Sequence, residues 1–350
     1  MHPDWKEHLA SHGALFDESG ASHFGNETAE RRAVTAGPVL LDLGAYHGLI
    51  RASGTDSVTF LNGQLTNDLR RLQSGGNLLA GYCTPQGRLL AIARVFRHGS
   101  DYFMRLPLDL RDAILDRLRR YVLRSKVTLE QADGERVTFG LAGPRAPEML
   151  RSALGASPDE SGSLESGDLT VLHIPGPRDR FELVGSVSSA RSLWSTLQNE
   201  GARPVAGHWW KWFDVEAGIA DVGRDTQEKF VPQTVNLELV GGVSFEKGCY
   251  PGQEIVARVH YLGRLKERMY RLHLSRSGDD EPKPGDAIYA PDHAQATGAV
   301  VQAHAAPDDG VDLLAVVHTS SVATGELHWR TPDGPRLDLR PLPYSLPHPG

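Results

Sequence analysis

The run Lys247-Gly248-Cys249-Tyr250-Pro251-Gly252-Gln253-Glu254 places one of only two cysteines two residues from a lysine and between two glycines. An ammonium beside a thiol stabilises the thiolate and makes it a better nucleophile or metal ligand. In an extended chain, side chains two apart share a face, so Lys247 and Cys249 are expected to point the same way. Gly248 and Gly252 permit positive φ or a close approach of backbone to ligand. After Pro251-Gly252 the period turns helical: Ile255, Val256, Val259 and Leu262 fall on one face, and Gly263 is a natural stop. Glu254 then lies in the first turn, where negative charge suits the helix dipole, and the thiol ahead of it feels the same positive end. The plainer alternative is a small buried hydrophobe beside a tight turn.

The octapeptide, running on through Ile255-Val256-Ala257-Arg258, resembles the signature of the YgfZ family. The approach to it is similar as well: Phe230-Val231-Pro232-Gln233, then Asn236-Leu237 and Gly241-Gly242-Val243-Ser244-Phe245. Near the N-terminus, Phe60-Leu61-Asn62-Gly63-Gln64-Leu65-Thr66-Asn67-Asp68 resembles a block shared by the wider glycine-cleavage T-protein (GcvT, aminomethyltransferase) superfamily. The resemblance runs from about Val34 into the C-terminal segment. It implies a folate-binding protein linked to iron–sulfur enzyme maintenance and to tRNA modification.

A folate site needs a flat apolar slot for the pterin, a carboxylate on its amino-pyrimidine edge, and positive charge for the glutamate tail. Glu216, in Asp214-Val215-Glu216-Ala217-Gly218-Ile219, aligns with the superfamily's pterin-binding glutamate, and a carboxylate accepting two N–H bonds from one planar edge is strong and directional. The superfamily's Arg two positions earlier is Asp214 here. The resemblance further implies that Asn67, Gly248, Tyr250, Gly252, Gln253, Glu254 and Arg258 line the cofactor site, with Cys249 and Lys247 as the reactive pair. Trp209, Trp210 and Trp212 read as core or as an aromatic wall, Asp68 as a helix cap or a lining residue, and Cys83 as a structural residue in a strand. Aminomethyl transfer is not expected. In Gln86-Gly87-Arg88-Leu89-Leu90-Ala91-Ile92 the acidic pair of the transferases is Ala91-Ile92, which leaves no carboxylate to orient or deprotonate an amine.

These residues need rigid elements behind them. Leu40–Ile50 reads as strand and turn, Val58–Leu61 as a helix behind Asp56, and Gly81–Phe96 as two strands joined at Pro85-Gln86-Gly87. Leu89–Val95, Tyr102–Leu106 and a helix Leu110–Leu123 form a strand–strand–helix unit, repeated as Leu169–Ile174, Phe181–Val184 and a helix Ser189–Gln198. Val127 and Val205 open the strands that follow. Ser157–Gly167 and Gly20–Thr28 read as a polar loop and a flexible link, and Pro341–Gly350 as a loose tail. From Lys266 onward, short alternating strands at Met269–Leu274, Gly298–His304, Leu313–His318 and Glu326–Trp329 predict a small β-barrel.

The expected fold is α+β: a three-domain GcvT-like ring with two ferredoxin-like α+β domains and a C-terminal small β-barrel. The boundaries are 1–35, an N-terminal segment; 36–135 and 136–265, two interleaving α+β regions; and 266–345, the barrel. With 350 residues, a net charge of −7 and pI near 6.1, the chain is not a polycation built to coat nucleic acid. Two basic stretches remain, Arg117, Arg119, Arg120, Arg124 and Lys126, and Arg258, Arg264, Lys266, Arg268 and Arg271. The second lies beside Cys249 and could steer an anion. Two widely spaced cysteines, no apolar leader and no long apolar run fit a cytoplasmic chain with no membrane partner. No cysteine and histidine spacing marks a metal site. The reading is a tetrahydrofolate-binding protein supporting iron–sulfur cluster assembly or repair in client enzymes. The alternatives are a folate-dependent one-carbon transferase or tRNA-modification factor, and a non-catalytic adaptor of cluster-assembly proteins.

Overall fold

The computed structural model describes residues 1–262, 265–275, 280–291, 295–323 and 325–347. The chain forms two compact units, one from Met1–Leu61, Leu69–Leu78 and Ala93–Trp210, the other from Asn62–Asp68, Leu79–Ile92 and Lys211–Gly350. Asn62–Asp68 of the N-terminal block and the turn after Cys83 therefore belong to the same unit as the signature, although they lie far from it in sequence.

In the first unit, helix α1 (Pro3–Ser11) buries Trp5 and Leu9. The Trp5 indole donates to Asp42 Oδ1 at 2.9 Å, and burial pushes the Asp42 carboxyl up to about 6. The 20–28 stretch is not a flexible link. Leu15–Phe16 pairs with Ser22–His23, and Asn26 caps helix α2 (Glu27–Ala36) by accepting from Ala29 N–H. The buried Glu30 carboxylate accepts from Phe24 N–H at 2.8 Å, Ala206 N–H at 2.9 Å and the Trp209 indole at 3.3 Å. These side chains read as loop-forming because they are polar, but their polarity is spent on nearby backbone.

A five-strand sheet runs Asn77–Cys83, Leu89–His98, Asp101–Pro107, His47–Ser53, Thr128–Gln131. Helix α3 (Ser57–Asn62) follows the fourth of these in space, and helix α4 (Leu108–Arg119) links Asp101–Pro107 to Thr128–Gln131. Helix α4 stops four residues before the expected end, and Leu123 takes a left-handed φ of 44°. A six-strand sheet runs Ser163–Ser166, Leu169–His173, Arg180–Ser186, Arg136–Ala142, Val39–Asp42, Arg203–Val205. Its edge strand Ser163–Ser166 lies inside the stretch that reads as loop, held where Ser163 Oγ accepts from Gly76 N–H. Helices α5 (Ala146–Leu154) and α6 (Val187–Asn199) contribute Met149, Leu150, Leu193, Trp194 and Leu197 to a core with Phe139, Leu141, Phe181 and Leu183.

The strand–strand–helix pattern occurs twice, but Val205 closes the expected strand rather than opening it, and the pairing of the strands that follow differs. Thr128–Gln131 pairs antiparallel with His47–Ser53, whereas Arg203–Val205 pairs parallel with Val39–Asp42.

Helix α7 (His208–Glu216) leads into the second unit. Trp209, Trp210 and Trp212 are all buried, so they are core and not an open wall. Helix α8 (Gln253–Leu262) starts where the helical period begins; Gly263, its expected stop, lies outside the described residues. A closed barrel follows, ordered Glu267–Leu274, Val311–His318, Gly298–Ala305, Ala287–Tyr289, Leu327–Trp329, Arg336–Arg340, with helix α9 (Thr319–Ala323) after its Val311–His318 strand. Asp312 on that strand accepts from the Trp212 indole at 3.0 Å, Arg271 Nη2 at 2.8 Å and the His273 ring at 2.9 Å. Burial opposes ionisation of Asp312, but these bonds outweigh it and hold the carboxyl below the usual carboxylate range. Helix α7 is thereby tied to the barrel. The tail is packed, not loose: Leu342 joins the core around Val215 and Ala217, and the Tyr344 hydroxyl donates to Gly218 O at 2.7 Å. Residues 348–350 lie outside the described residues.

Candidate functional site

The sequence-predicted site residues all belong to the second unit. The N-terminal block and the run into the signature are zipped together by short polar contacts. Thr66 Oγ1 donates to Gly242 O at 2.7 Å, Ser244 N–H donates to Thr66 O at 2.9 Å, and Thr66 Oγ1 accepts from Gly81 N–H at 2.7 Å. Asn67 is buried, and its amide donates to Leu79 O at 2.7 Å and Gly241 O at 2.6 Å while accepting from Asp68 N–H at 2.9 Å. The Asn67 amide thus acts as a brace between three segments.

Lys247 closes this zipper. It is 5% exposed, and its ammonium donates to Asn62 O and, at 2.6 Å, to Leu65 O. The same Nζ stands 4.8 Å from the centre of the buried Tyr250 ring. Cys249 is exposed. The expected shared face is not seen, because the chain bends at 245–247 and so loses the two-residue alternation of a strand. Lys247 turns inward and Cys249 outward.

The two glycines part in the same way. Gly252 has φ 82°, and a Cβ there would sit 2.5 Å from Thr84 O and 2.7 Å from Gly87 Cα. The signature turn and the Thr84–Arg88 turn are thus packed backbone against backbone, with Gly87 (φ 72°) in turn against Ile255. A Cβ at Gly248 would meet nothing within 4 Å. Gly252 is required by geometry; Gly248 leaves open space beside Cys249.

Helix α8 is fixed at both ends. Gln233 Nε2 donates to Val256 O at 2.6 Å, and Phe245 stacks on His260 with ring centres 3.7 Å apart. Gln253 is half-buried in the first turn, and Glu254 and Arg258 are exposed one turn apart. Sequence reasoning missed the supports behind this helix. Arg268 donates to Gln233 O at 3.0 Å and to Glu238 Oε1 at 2.5 Å, while Asn236, at a left-handed φ of 58°, donates to Met269 O at 2.8 Å. An Asn within a turn-rich apolar run was the available signal, because Asn is one of the few residues that adopts that φ readily. The second basic stretch is accordingly not a free cationic surface. Arg268 is buried against Glu238 and Arg271 pairs with Asp312, while Arg258 and Lys266 are exposed. Arg264 lies outside the described residues.

Glu216 ends helix α7 half-buried, two residues before Gly218, which takes φ 64° under the Tyr344 hydroxyl. Ala91 and Ile92 are buried in a strand, Ile92 in the core with Leu79 and Val215. Cys83 is buried, and burial alone pushes its thiol up to about 12, so at neutral pH it stays protonated. Burial also raises the Tyr250 phenol. Among the described residues, no group of three or more His, Cys, Asp or Glu is arranged to hold a metal, and no helix is long and apolar enough to cross a membrane.

Residues 12–247 match the GCVT N-terminal domain family. The "tRNA-modifying protein YgfZ" of Cronobacter sakazakii is 34% identical over 303 residues, covering 85% of this chain and 91% of that protein. The protein of that name from Klebsiella pneumoniae is 34% identical over 299 residues, covering 85% and 90%. The chain belongs to the YgfZ family. A solved glycine cleavage system aminomethyltransferase T from Bartonella henselae superposes with a TM-score of 0.78 over 96% of both chains at 19% identity, which shows a shared fold. The YgfZ signature in this chain is therefore a GcvT-like framework with an outward thiol, and the strand carrying Ala91 and Ile92 presents no carboxylate at either position.

Proposed function

We propose that this chain is a tetrahydrofolate-binding auxiliary protein of tRNA modification that acts through the Cys249 thiol. The observation that carries the reading is the contrast between the two cysteines. Cys83 is sealed in the core, whereas Cys249 stands exposed on a turn that Lys247 and Gly252 hold rigid. A reactive thiol needs access and a fixed position, and this turn supplies both.

The donor set suits a folate. Glu216 places a half-buried carboxylate at a helix end, the group that would face a planar amino-pyrimidine edge. Exposed Arg258 supplies charge for a polyanionic tail. Gly248, Tyr250, Gly252, Gln253 and Glu254 shape the adjoining surface, and Asn67 supports it from behind. Bound tetrahydrofolate supplies a carrier for one-carbon units. Ala91 and Ile92 provide no carboxylate to orient or deprotonate an amine, so no methylene-tetrahydrofolate should form from an aminomethylated carrier protein. The clients we propose are iron–sulfur enzymes, whose iron takes cysteine sulfur as a soft ligand.

Calorimetry with tetrahydrofolate on the native chain, Glu216→Gln and Cys249→Ser tests the reading. Binding lost in Glu216→Gln and kept in Cys249→Ser is expected. Failure of all three to bind would sink the folate part and favour a non-catalytic adaptor.

A further inference from the structure

Residues 117–126 hold five cations and no acidic residue, in a chain whose net charge is −7. Of the five, Arg117 is half-buried, and Arg119 donates to Leu129 O at 2.7 Å and lies 3.8 Å from Asp116. Arg120, Arg124 and Lys126 are exposed. Among them stand two of the largest exposed apolar side chains, Tyr121 at 46% and Leu123 at 87%.

The segment is ordered. Tyr121 N–H donates to Leu118 O at 3.0 Å, Ser125 N–H to Val122 O at 2.8 Å, and Lys126 N–H to Asp56 Oδ2 at 2.7 Å. Leu123 is a non-glycine residue held at φ 44°. A left-handed leucine that is also almost fully in water gains nothing from the fold in exchange for its strain. Asp56, Tyr121, Val122, Leu123, Arg124 and Ser125 line one open depression.

We infer that this turn is a docking surface for RNA, taking a single-stranded loop with exposed bases. Arg120, Arg124 and Lys126 meet phosphates, which need no base identity. Tyr121 offers a ring on which an unstacked base can lie, and Leu123 is an apolar wedge of the kind that nucleic-acid binders insert between bases. The Asp56 carboxylate in the same lining accepts from the Lys126 amide. Charge complementarity favours a polyanion, because residues 117–126 carry the exposed Arg120, Arg124 and Lys126 and no acidic residue. The reading of the chain as a tRNA-modification protein bears on this inference only through the choice of probe.

The test is fluorescence anisotropy with a labelled, unmodified tRNA transcript at several KCl concentrations, with tetrahydrofolate calorimetry on the same preparations. The native chain should bind with a steep salt dependence. Arg120→Glu/Arg124→Glu should lose at least tenfold in affinity and flatten the log–log salt slope by about 1.5, the loss of roughly two phosphate contacts. The milder Arg120→Gln/Arg124→Gln pair should move the slope the same way with folate binding unchanged. Tyr121→Ala should weaken binding about fivefold or more with the slope kept. RNA binding that is indifferent to all three variants would overturn the site. So would a native chain that binds tetrahydrofolate but no RNA at 50 mM KCl (roughly the low-salt limit for such contacts), an outcome that leaves the folate reading standing. RNA binding with these effects but no folate binding would support the surface and sink the folate reading instead.

Discussion

The signature has an inner and an outer row, and the two obey different rules. Lys247, Tyr250 and Gly252 face inward and are fixed by the groups they touch: two carbonyls, an ammonium and a facing turn. Gly248, Cys249, Glu254 and Arg258 face outward and are exposed or in open space. In a lone sequence both rows look equally chemical. The structure separates the residues that build the turn from those left free to act, and it moves Lys247 from the second group to the first.

Breaking the inner row should cost most. Lys247→Ala leaves the carbonyls of Asn62 and Leu65 without their charged donor and should destabilise the chain by about 3 kcal/mol or more in urea unfolding. Lys247→Met, which restores the stem but not the donor, should recover little of that. A merely electrostatic helper of Cys249 would show neither effect. Gly252→Ala combines a left-handed φ with a clash against Thr84 O and should cost about 2–3 kcal/mol.

A smaller effect sharpens the contrast between the cysteines. A thiol reagent at pH 8 should label one cysteine in the native chain and two after unfolding, and mass spectrometry should find the first label on Cys249. The Cys83 thiol is raised from 9.0 to about 12 in the native chain. The unfolded state therefore releases its proton first, and the contribution of Cys83 to stability is intact below pH 9.0 and lost as pH rises towards 12. Cys83→Ala should remove this component of alkaline sensitivity. The outer row should be the most tolerant for folding: Gly248→Ala and Cys249→Ser should each change stability by less than about 0.5 kcal/mol.

Much of the architecture was legible because period and punctuation carry it. The strands around Pro85-Gln86-Gly87, helix α8 and the barrel all follow from apolar spacing bounded by turn residues. The misses share one cause. Asn26, Glu30 and Ser163 look like loop residues, yet each satisfies a backbone group within or beside a regular element. Helix α7 was hidden because its tryptophans read as a cluster without a period, and the packed tail because its prolines mask Leu342 and Tyr344. At the site, residue types pointed to the right segment but not to side-chain direction. One bend at 245–247 reverses the expected relation of Lys247 to Cys249, and no spacing rule contains that bend. The supports at Arg268 and Asn236 depend on contacts more than 30 residues away in sequence, which local pattern does not reveal.

The most direct measurement of the central claim is complementation by Cys249→Ser in cells lacking their own YgfZ-type protein, read by mass spectrometry of digested tRNA. The account predicts a variant that is folded, as stable as the native chain and still able to bind tetrahydrofolate, yet unable to restore the missing modification. Restoration to the native level by Cys249→Ser would contradict it and leave the outer thiol without a function.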